Sequence, residues 1–566
     1  MPTALAASTS RKNLNKTKLS PRRAIISAMD SLTPRFLCWF VAPGPPGRLL
    51  PRWIFLRALG LIYFSAFYSL IFQIRGLIGP NGLLPTSSYL EEVAKAFGHI
   101  RFWYAPTVLW FNSSSHALVA LCWVGMIAAI LLTLNLWPRP MLFVCFAAFL
   151  SFISAAQDFS SYQSDGMLLS AGFISLFSAP PGFRPRWGET SPPSRASLFL
   201  LQFVWFTIYF ESGVAKYFGG DPTWRNLTAM DQYYQNGPLP TWIGWYVQQF
   251  PHWFHACTAF QTLFTEMLVV WMLFLPRRLR IVCFFIVTPL QIAIIFTANY
   301  TFLNYLVLFL GILLLDDRFL LQFFPERWFT PIRKVLNQSA SPPPNPDLTT
   351  RSSFRTRALQ FISGARLWLT AFVLAWIFYA MLFPLAAELS KSAVLPSKPV
   401  ALLDPFRIAN QYGLFGRMTW ARYEIEFQGS RDGTNWIAYP FRYKPQDLRE
   451  APRVYAPYQP RFDWNLWFAS LGFWRENTFV VRTEQLLLAN NPDVVSLFAA
   501  NPFPQGPPLQ VRAVIWQYWF TDLATKRSTG FWWRREYRGL YAPSLERAPD
   551  GKFFVTEWPQ SLPPPP

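Results

Sequence analysis

The chain is 566 residues long, 52% hydrophobic and 18% aromatic, yet only 14% charged, roughly half the charged fraction of a soluble protein. Its net charge of +21 would suit nucleic acid, but the basic residues crowd a few loops between apolar runs, the pattern that orients a membrane protein, so no nucleic-acid partner is expected. Five cysteines without a CxxC or zinc spacing support neither a structural metal nor a disulfide framework.

Residues 1–52 form a basic approach in which 1–35 carry Arg11, Lys12, Lys16, Lys18, Arg22 and Arg23 and no apolar run. They read as a cytoplasmic tail rather than a cleavable signal. Apolar runs then follow at 53–74, 116–137, 141–157, 166–182, 198–218, 253–275, 279–298 and 301–316, with a last one at 367–387. A hydrocarbon core of about 30 Å needs about 20 helical residues, and in lipid a helix alone satisfies its own backbone. The fourth and eighth runs are short enough to be tilted or re-entrant. The expected fold is a polytopic α-helical membrane bundle of about eight or nine transmembrane helices, seven at the least.

Loop charges support this order. With the tail inside, the inner loops hold Arg139, then Arg184, Arg186 and Arg195, then Pro276-Arg-Arg-Leu-Arg280, then Arg318, Arg327, Arg333 and Lys334. The outer loops 158–165 and 299–300 have no Lys or Arg. The bundle at 53–316 and the last helix at 367–387 are separated by a cytoplasmic linker, 317–366, stiffened by Ser341-Pro-Pro-Pro-Asn-Pro346.

Residues 388–560 then form a C-terminal β-rich (α+β) extramembrane domain outside the bilayer, ahead of a Pro-rich tail at 561–566. The alternating runs Tyr423–Phe427 and Trp436–Tyr443, joined by Ser430-Arg-Asp-Gly433, predict a hairpin. Residues 463–472 and 483–500 predict helices, the second broken at Asn490-Asn-Pro492, and Val511–Thr521 and Phe531–Tyr537 predict strands. The domain has no cysteine, so it is expected to fold on its own core.

Ionisable groups at membrane depth cost about 2.5–3.5 kcal/mol each on insertion scales, so each needs a partner or a purpose. Arg57 can snorkel to phosphates. Glu266 lies mid-run with no partner that the sequence assigns. Glu211 and Lys216 share one helix but sit about 140° apart around it, so each is expected to face the interior and pair with another helix, or Lys216 to snorkel. The turn Gln157-Asp158…Gln163-Ser-Asp165 reads as a polar cap with Asp165 as N-cap, or as a carboxylate site for a cation or substrate. Asp221 and Trp224 follow at the exit of the fifth run and complete the polar cluster. His252 and His255 are spaced for a metal but read better as part of an interfacial aromatic belt with Trp253 and Phe254. No catalytic residue and no cofactor is indicated.

Several strings together resemble the lipase maturation factor family. They are Arg57-Ala-Leu-Gly60, Gly76-Leu-Ile-Gly-Pro-Asn-Gly-Leu-Leu-Pro85, Gln157-Asp-Phe…Tyr162-Gln-Ser-Asp165 and Ser212-Gly-Val-Ala-Lys216. Further along come Gly220-Asp-Pro-Thr-Trp-Arg-Asn-Leu-Thr228, Pro238-Leu-Pro240 and Asn299-Tyr-Thr-Phe-Leu-Asn304. The external domain adds Tyr439-Pro-Phe-Arg-Tyr-Lys-Pro445 and Gln459-Pro-Arg-Phe-Asp-Trp464…Trp467-Phe-Ala469. The resemblance implies a membrane-embedded maturation or folding factor, a chaperone for an exported client protein, in that family a lipase. It implies an endoplasmic reticulum membrane with a lumenal C-terminal domain if the source is eukaryotic. Short loops and the cysteine-free domain favour a bacterial inner membrane with that domain periplasmic.

The chain departs from the family pattern at Ser170, where the family has Glu, at Tyr233-Tyr-Gln235, where it has His-Tyr-Glu, and at Tyr458, where it has His. These departures weigh against an enzyme. A fainter resemblance joins Tyr209-Phe…Gly213…Lys216…Trp224 to vitamin K-dependent carboxylase-like membrane proteins. It implies, as the alternative, a membrane enzyme acting on a quinol or lipid-soluble substrate with Lys216 as base; a transporter is the second alternative. For a chaperone, exposed aromatics Trp464, Trp467, Trp532 and Trp533 are expected to hold a client, with Arg442, Tyr443 and Lys444 beside them. Arg461 and Asp463 stand among the same client-contact candidates, but are expected to pin their segment sooner than to touch a client.

Overall fold

The computed structural model describes residues 39–42, 44, 47–338, 354–390 and 395–560. The basic tail 1–35, Cys38, the Pro-rich stretch 341–346 and the Pro-rich end lie outside these residues.

In chain order the bundle contains α1 (Leu49–Ile71), α2 (Ser115–Thr133), α3 (Pro138–Ile153), α4 (Gln163–Ser178), α5 (Arg195–Phe218), α6 (His252–Met267), α7 (Arg277–Thr297), α8 (Leu303–Gly311) and α9 (Phe354–Ser390). Local chemistry sets several starts. The Ser114 hydroxyl accepts the Ala117 N–H ahead of α2, and Ser194 accepts that of Ser197 ahead of α5. Pro138 opens α3, where its missing N–H costs nothing.

Among the described residues six helices are long and apolar enough to cross a membrane: α1, α2, α5, α7, the stretch His252–Phe274 that begins with α6, and Gly364–Ser390 within α9. This corrects the eight or nine full spans expected. Helices α3 and α4 have 16 residues each, about 24 Å of rise, and α8 with the turn after it ends at Leu314. Hydropathy counts apolar residues whether or not they are helical. Ala155 and Ala156 already lie in the turn after α3, and Ala179-Pro180-Pro181 has left α4, where proline cannot continue the ladder.

The C-terminal part is built on one antiparallel sheet of β1 (Arg422–Ser430), β2 (Trp436–Ala438), β3 (Gln510–Phe520), β4 (Trp533–Leu540), β5 (Ser544–Arg547) and β6 (Phe553–Glu557). Its order is β2-β1-β3-β5-β6, with β4 also paired to β3. The expected hairpin is β1–β2, with Ser430 opposite Trp436. Pro440 follows soon after β2, so Tyr439–Tyr443 is not strand as expected. The expected helices are α10 (Arg461–Ala469) and α11 (Thr478–Leu488), and the break at Asn490-Asn-Pro492 is present, with Asn490 at φ 46°. Strands β5 and β6 extend the sheet beyond the expected strands.

Strand β1 alternates cleanly. Phe427 faces Phe462 and Phe498, with Ile425 buried, and Glu424 and Glu426 face Arg422, Lys444 and Arg535. The sheet is not a separate body. Apolar side chains of the bundle and of the C-terminal domain form one continuous core, so the expectation of a domain folding on its own core meets a shared one. Gly76 shows how close the approach is: a Cβ there would lie 2.5 Å from the carbonyl oxygen of Asp493 in the C-terminal domain.

Candidate functional site

The polar residues expected as a cluster within the membrane part divide between two places, the joint with the C-terminal domain and the interior of the bundle. Six of the nine members, Asp158, Gln163, Asp165, Glu211, Asp221 and Trp224, reach the C-terminal domain. Gln163 Oε1 accepts the Gly413 N–H at 3.2 Å, Glu211 Oε2 that of Tyr412 at 2.7 Å, and Asp221 Oδ2 that of Met418 at 2.7 Å. The Trp224 indole donates to Phe415 O at 2.9 Å, and the Asp158 carbonyl accepts from Asn465 at 3.1 Å. Gln157 instead donates to Leu84 O. The segment 410–420 has no regular structure of its own. Buried backbone N–H groups must find acceptors, and the ends of α4 and α5 supply them.

One buried ion pair locks this contact. Arg461 is 1% and Asp165 0% exposed, and the guanidinium meets the carboxylate in a fork, Nη1–Oδ2 2.7 Å and Nη2–Oδ1 2.8 Å. Nη1 also donates to Phe159 O, Nη2 to Gln459 Oε1, and the Tyr162 ring lies beneath the guanidinium. Arg461 therefore pins its segment as expected. Asp165 sits in the first turn of α4 and pairs across the interface, rather than capping the helix.

A second pair lies inside the bundle. Lys216 Nζ donates to both carboxylate oxygens of Glu266, at 2.9 and 2.8 Å, and lies 5.2 Å from the Trp224 ring. Gly213, one turn earlier on α5, makes this possible: a Cβ there would stand 2.9 Å from Glu266 Cβ. Glu211 and Lys216 each turn inward; Lys216 pairs with another helix and does not snorkel, whereas Glu211 accepts the Tyr412 N–H of the C-terminal domain and pairs with no helix among the described residues. The sequence offered no partner for Glu266, because nothing in a lone mid-helix acid names the helix opposite. Arg57 is likewise buried inside, where it donates to Asn135 Oδ1 and Leu132 O. His252 bonds Asp231, while His255 is buried against Tyr234.

The client-contact candidates divide. Arg442 is exposed, and Tyr443 and Trp532 are half-buried. Trp464 and Trp467 are 9% and 8% exposed and Trp533 1%, so these indoles are core and interface, not a client surface. Trp467 Nε1 donates to Asn236 O of the bundle, and Trp245 of the bundle donates to Trp532 O. Large indoles satisfy area and one donor together at a joint between two bodies, which composition cannot distinguish from an open surface. Lys444 is buried against Glu424, with Asp463 beside it. Exposed Arg442 instead joins Tyr443, Tyr458, Tyr68 and Phe72 around a groove of about 470 Å3 between the end of α1 and the domain.

Opposite ends of the same helices carry the arginines. Arg48 donates to the Leu313 and Leu314 carbonyls, Arg139 to Ala179 O, Arg52 to Ser178 O and Arg280 to Leu314 O. Each satisfies carbonyls left open at a helix C-terminus, where a cation is also favoured by the helix dipole. Arg277 pairs with Asp316, and Asp317 accepts the N–H groups of Leu49 and Leu50.

These features define a polytopic membrane protein whose C-terminal domain is docked through buried polar groups onto one end of the bundle. The family profile described as Lipase maturation factor transmembrane domain matches residues 50–322, and that described as Lipase maturation factor C-terminal domain matches 408–543. Bovine lipase maturation factor 1 is 31% identical over 546 residues, covering 92% of this chain and 94% of the relative. Mouse lipase maturation factor 1 is 30% identical, covering 91% and 90%, and chicken lipase maturation factor 2 is 29% identical, covering 88% and 82%. No solved structure matches. The chain belongs to the lipase maturation factor family.

Breaking a buried pair strands a charge, at a cost of about 3–5 kcal/mol, whereas removing both partners costs far less. Lys216→Met and Glu266→Gln are each expected to lower the melting temperature in detergent and the yield of inserted protein. Lys216→Met combined with Glu266→Leu should recover most of the loss. Additive losses would mean that the two groups do not act as a pair.

A pH effect follows from Asp463. Burial pushes its carboxyl up to about 7, against the pull of Lys444. The folded state therefore holds a proton that the unfolded chain releases above about pH 4. The stability this contributes is full below about pH 4 and is lost as pH rises through 7, at up to about 1.4 kcal/mol per unit. Asp463→Asn is expected to flatten the melting temperature between pH 4 and 7; an unchanged slope would remove Asp463 as its source.

Proposed function

We propose that this protein is a membrane-embedded maturation factor that assists the folding or assembly of an exported, lipase-type client. The observation that carries the reading is continuous similarity to lipase maturation factors across both the bundle and the docked domain. The chemistry supports a non-enzymatic role. Both Glu266 oxygens hold Lys216, which keeps the lysine as a charged structural group rather than a free base. The client surface we favour is the groove around Arg442, because it is open and lies where the domain meets the end of α1. In cells lacking the protein, its return should raise the yield of active lipase severalfold. Arg442→Glu should cut that gain by at least threefold per molecule of inserted protein, with melting unchanged. A lipase yield indifferent to the protein would defeat the reading; an unaltered yield with Arg442→Glu would move the client elsewhere.

The same reading places the arginine-capped helix ends on the cytoplasmic side and the docked domain on the exported side, with the short helices α3, α4 and α8 also joining the two faces. In a cysteine-free background, Arg431→Cys should react with an impermeant maleimide from the exported side. Phe183→Cys, exposed beside Arg184 and Arg186, should react only after permeabilisation. Labelling of both from one side would overturn this orientation.

A further inference from the structure

Helices α5, α6, α7 and α8, with Tyr233 and Tyr234 of the α5–α6 connection and Leu414 and Phe415 of the C-terminal domain, line a cavity of about 410 Å3, within the range of about 300–1,000 Å3 of sites that take small organic ligands. Its inner wall is polar and buried: Lys216, Glu266, Gln291 and Asn304 are 3%, 9%, 6% and 5% exposed, with Tyr209 beside them. Its mouth lies between α6 and α7, where Gln261, Pro289 and Ala293 are exposed. Phe260, Phe264, Phe285 and Phe296 stand exposed on the same two helices, and only 17% of the apolar stretch of α7 is buried. The cavity therefore opens towards hydrocarbon, not towards water. Pro289 has no backbone N–H to give its helix, which loosens α7 at the level of the mouth.

Charge narrows the occupant. Lys216 and Glu266 neutralise each other, and every other residue lining the cavity is uncharged. An ionised carboxylate or phosphate entering here would be a third, uncompensated charge in a site of low polarity. Hydrogen-bonding capacity remains. Asn304 Nδ2 donates to Gln291 Oε1 at 2.8 Å, which turns the Gln291 N–H groups and the Asn304 carbonyl oxygen to other use. A donor and an acceptor side by side suit a hydroxyl or a carbonyl. We propose that this cavity binds an uncharged membrane lipid, its hydroxyl or carbonyl head against Gln291, Asn304 and Tyr209 and its hydrocarbon chain leaving between α6 and α7. The site is separate from the client groove, and binding here needs no client.

The test uses the full chain in nanodiscs of zwitterionic phospholipid with a trace of monoacylglycerol carrying a diazirine in its acyl chain. After irradiation, labelled peptides should map to α6 and α7 at the mouth. Unlabelled monoacylglycerol should displace the probe, and oleate and lysophosphatidate should not. Ala293→Trp, at an exposed position, should cut labelling at least tenfold with melting unchanged, and Gln291→Leu at least threefold. Thr258→Phe closes the mouth from α6 should the first variant fail to insert. Labelling spread over exposed faces such as Leu369 and Phe372 of α9, and indifferent to these variants, would overturn the proposal. So would displacement by the anions as effective as by the neutral lipid. Neither outcome touches the maturation reading, whose readout is lipase yield.

Discussion

Polar groups near the end of a membrane helix have little water to turn to, and everything else in this protein depends on how they are satisfied. Here the C-terminal domain satisfies them. Gln163, Asp165, Glu211 and Asp221 each bond a group between Tyr412 and Arg461. The dependence runs both ways: segment 410–420 has no ladder of its own, and these carboxylates and amides are its acceptors. The bundle and the domain therefore form one folding problem, with one core running through both.

Close approach is the second condition. Gly76 brings the short helix Ile74–Ile78 against residues 493–497, and Gly213 brings α5 against α6. Small residues at such crossings are a general device of membrane helix packing, where polar pairs act as the glue. The arginines at the opposite ends act on the same logic, since each closes carbonyls that a helix C-terminus leaves open.

These constraints shape what the protein can do. The domain is held against the bundle by buried pairs, and its open groove lies beside Tyr68 and Phe72 at the end of α1. A client presented there would meet aromatic and basic side chains with membrane close by. At the cavity among α5–α8, Tyr300 and Phe415 are packed at 4.6 Å across the joint between bundle and domain.

Much of this was legible in the residues. Apolar runs and basic loops are local signals, set by what a stretch of chain can do alone, and they marked the bundle, its polar outer turn and its basic face. The hairpin at Ser430-Arg-Asp-Gly433, the break at Asn490-Asn-Pro492 and the pinning role of Arg461 followed from turn chemistry and charge. Other features depended on neighbours far along the chain. Only six of the eight or nine expected helices are long and apolar enough to cross a membrane, because hydropathy does not register where a helix stops bonding. Trp464, Trp467 and Trp533 are equally apolar in a core or on a surface, and only packing put them inside. Glu266 had no partner until α5 and α6 came together at Gly213. By itself the sequence determined which segments leave water and which face is basic, because those depend on local composition. Only the tertiary structure decided which buried charge meets which, because pairing is a property of distance across the fold and not of order along the chain.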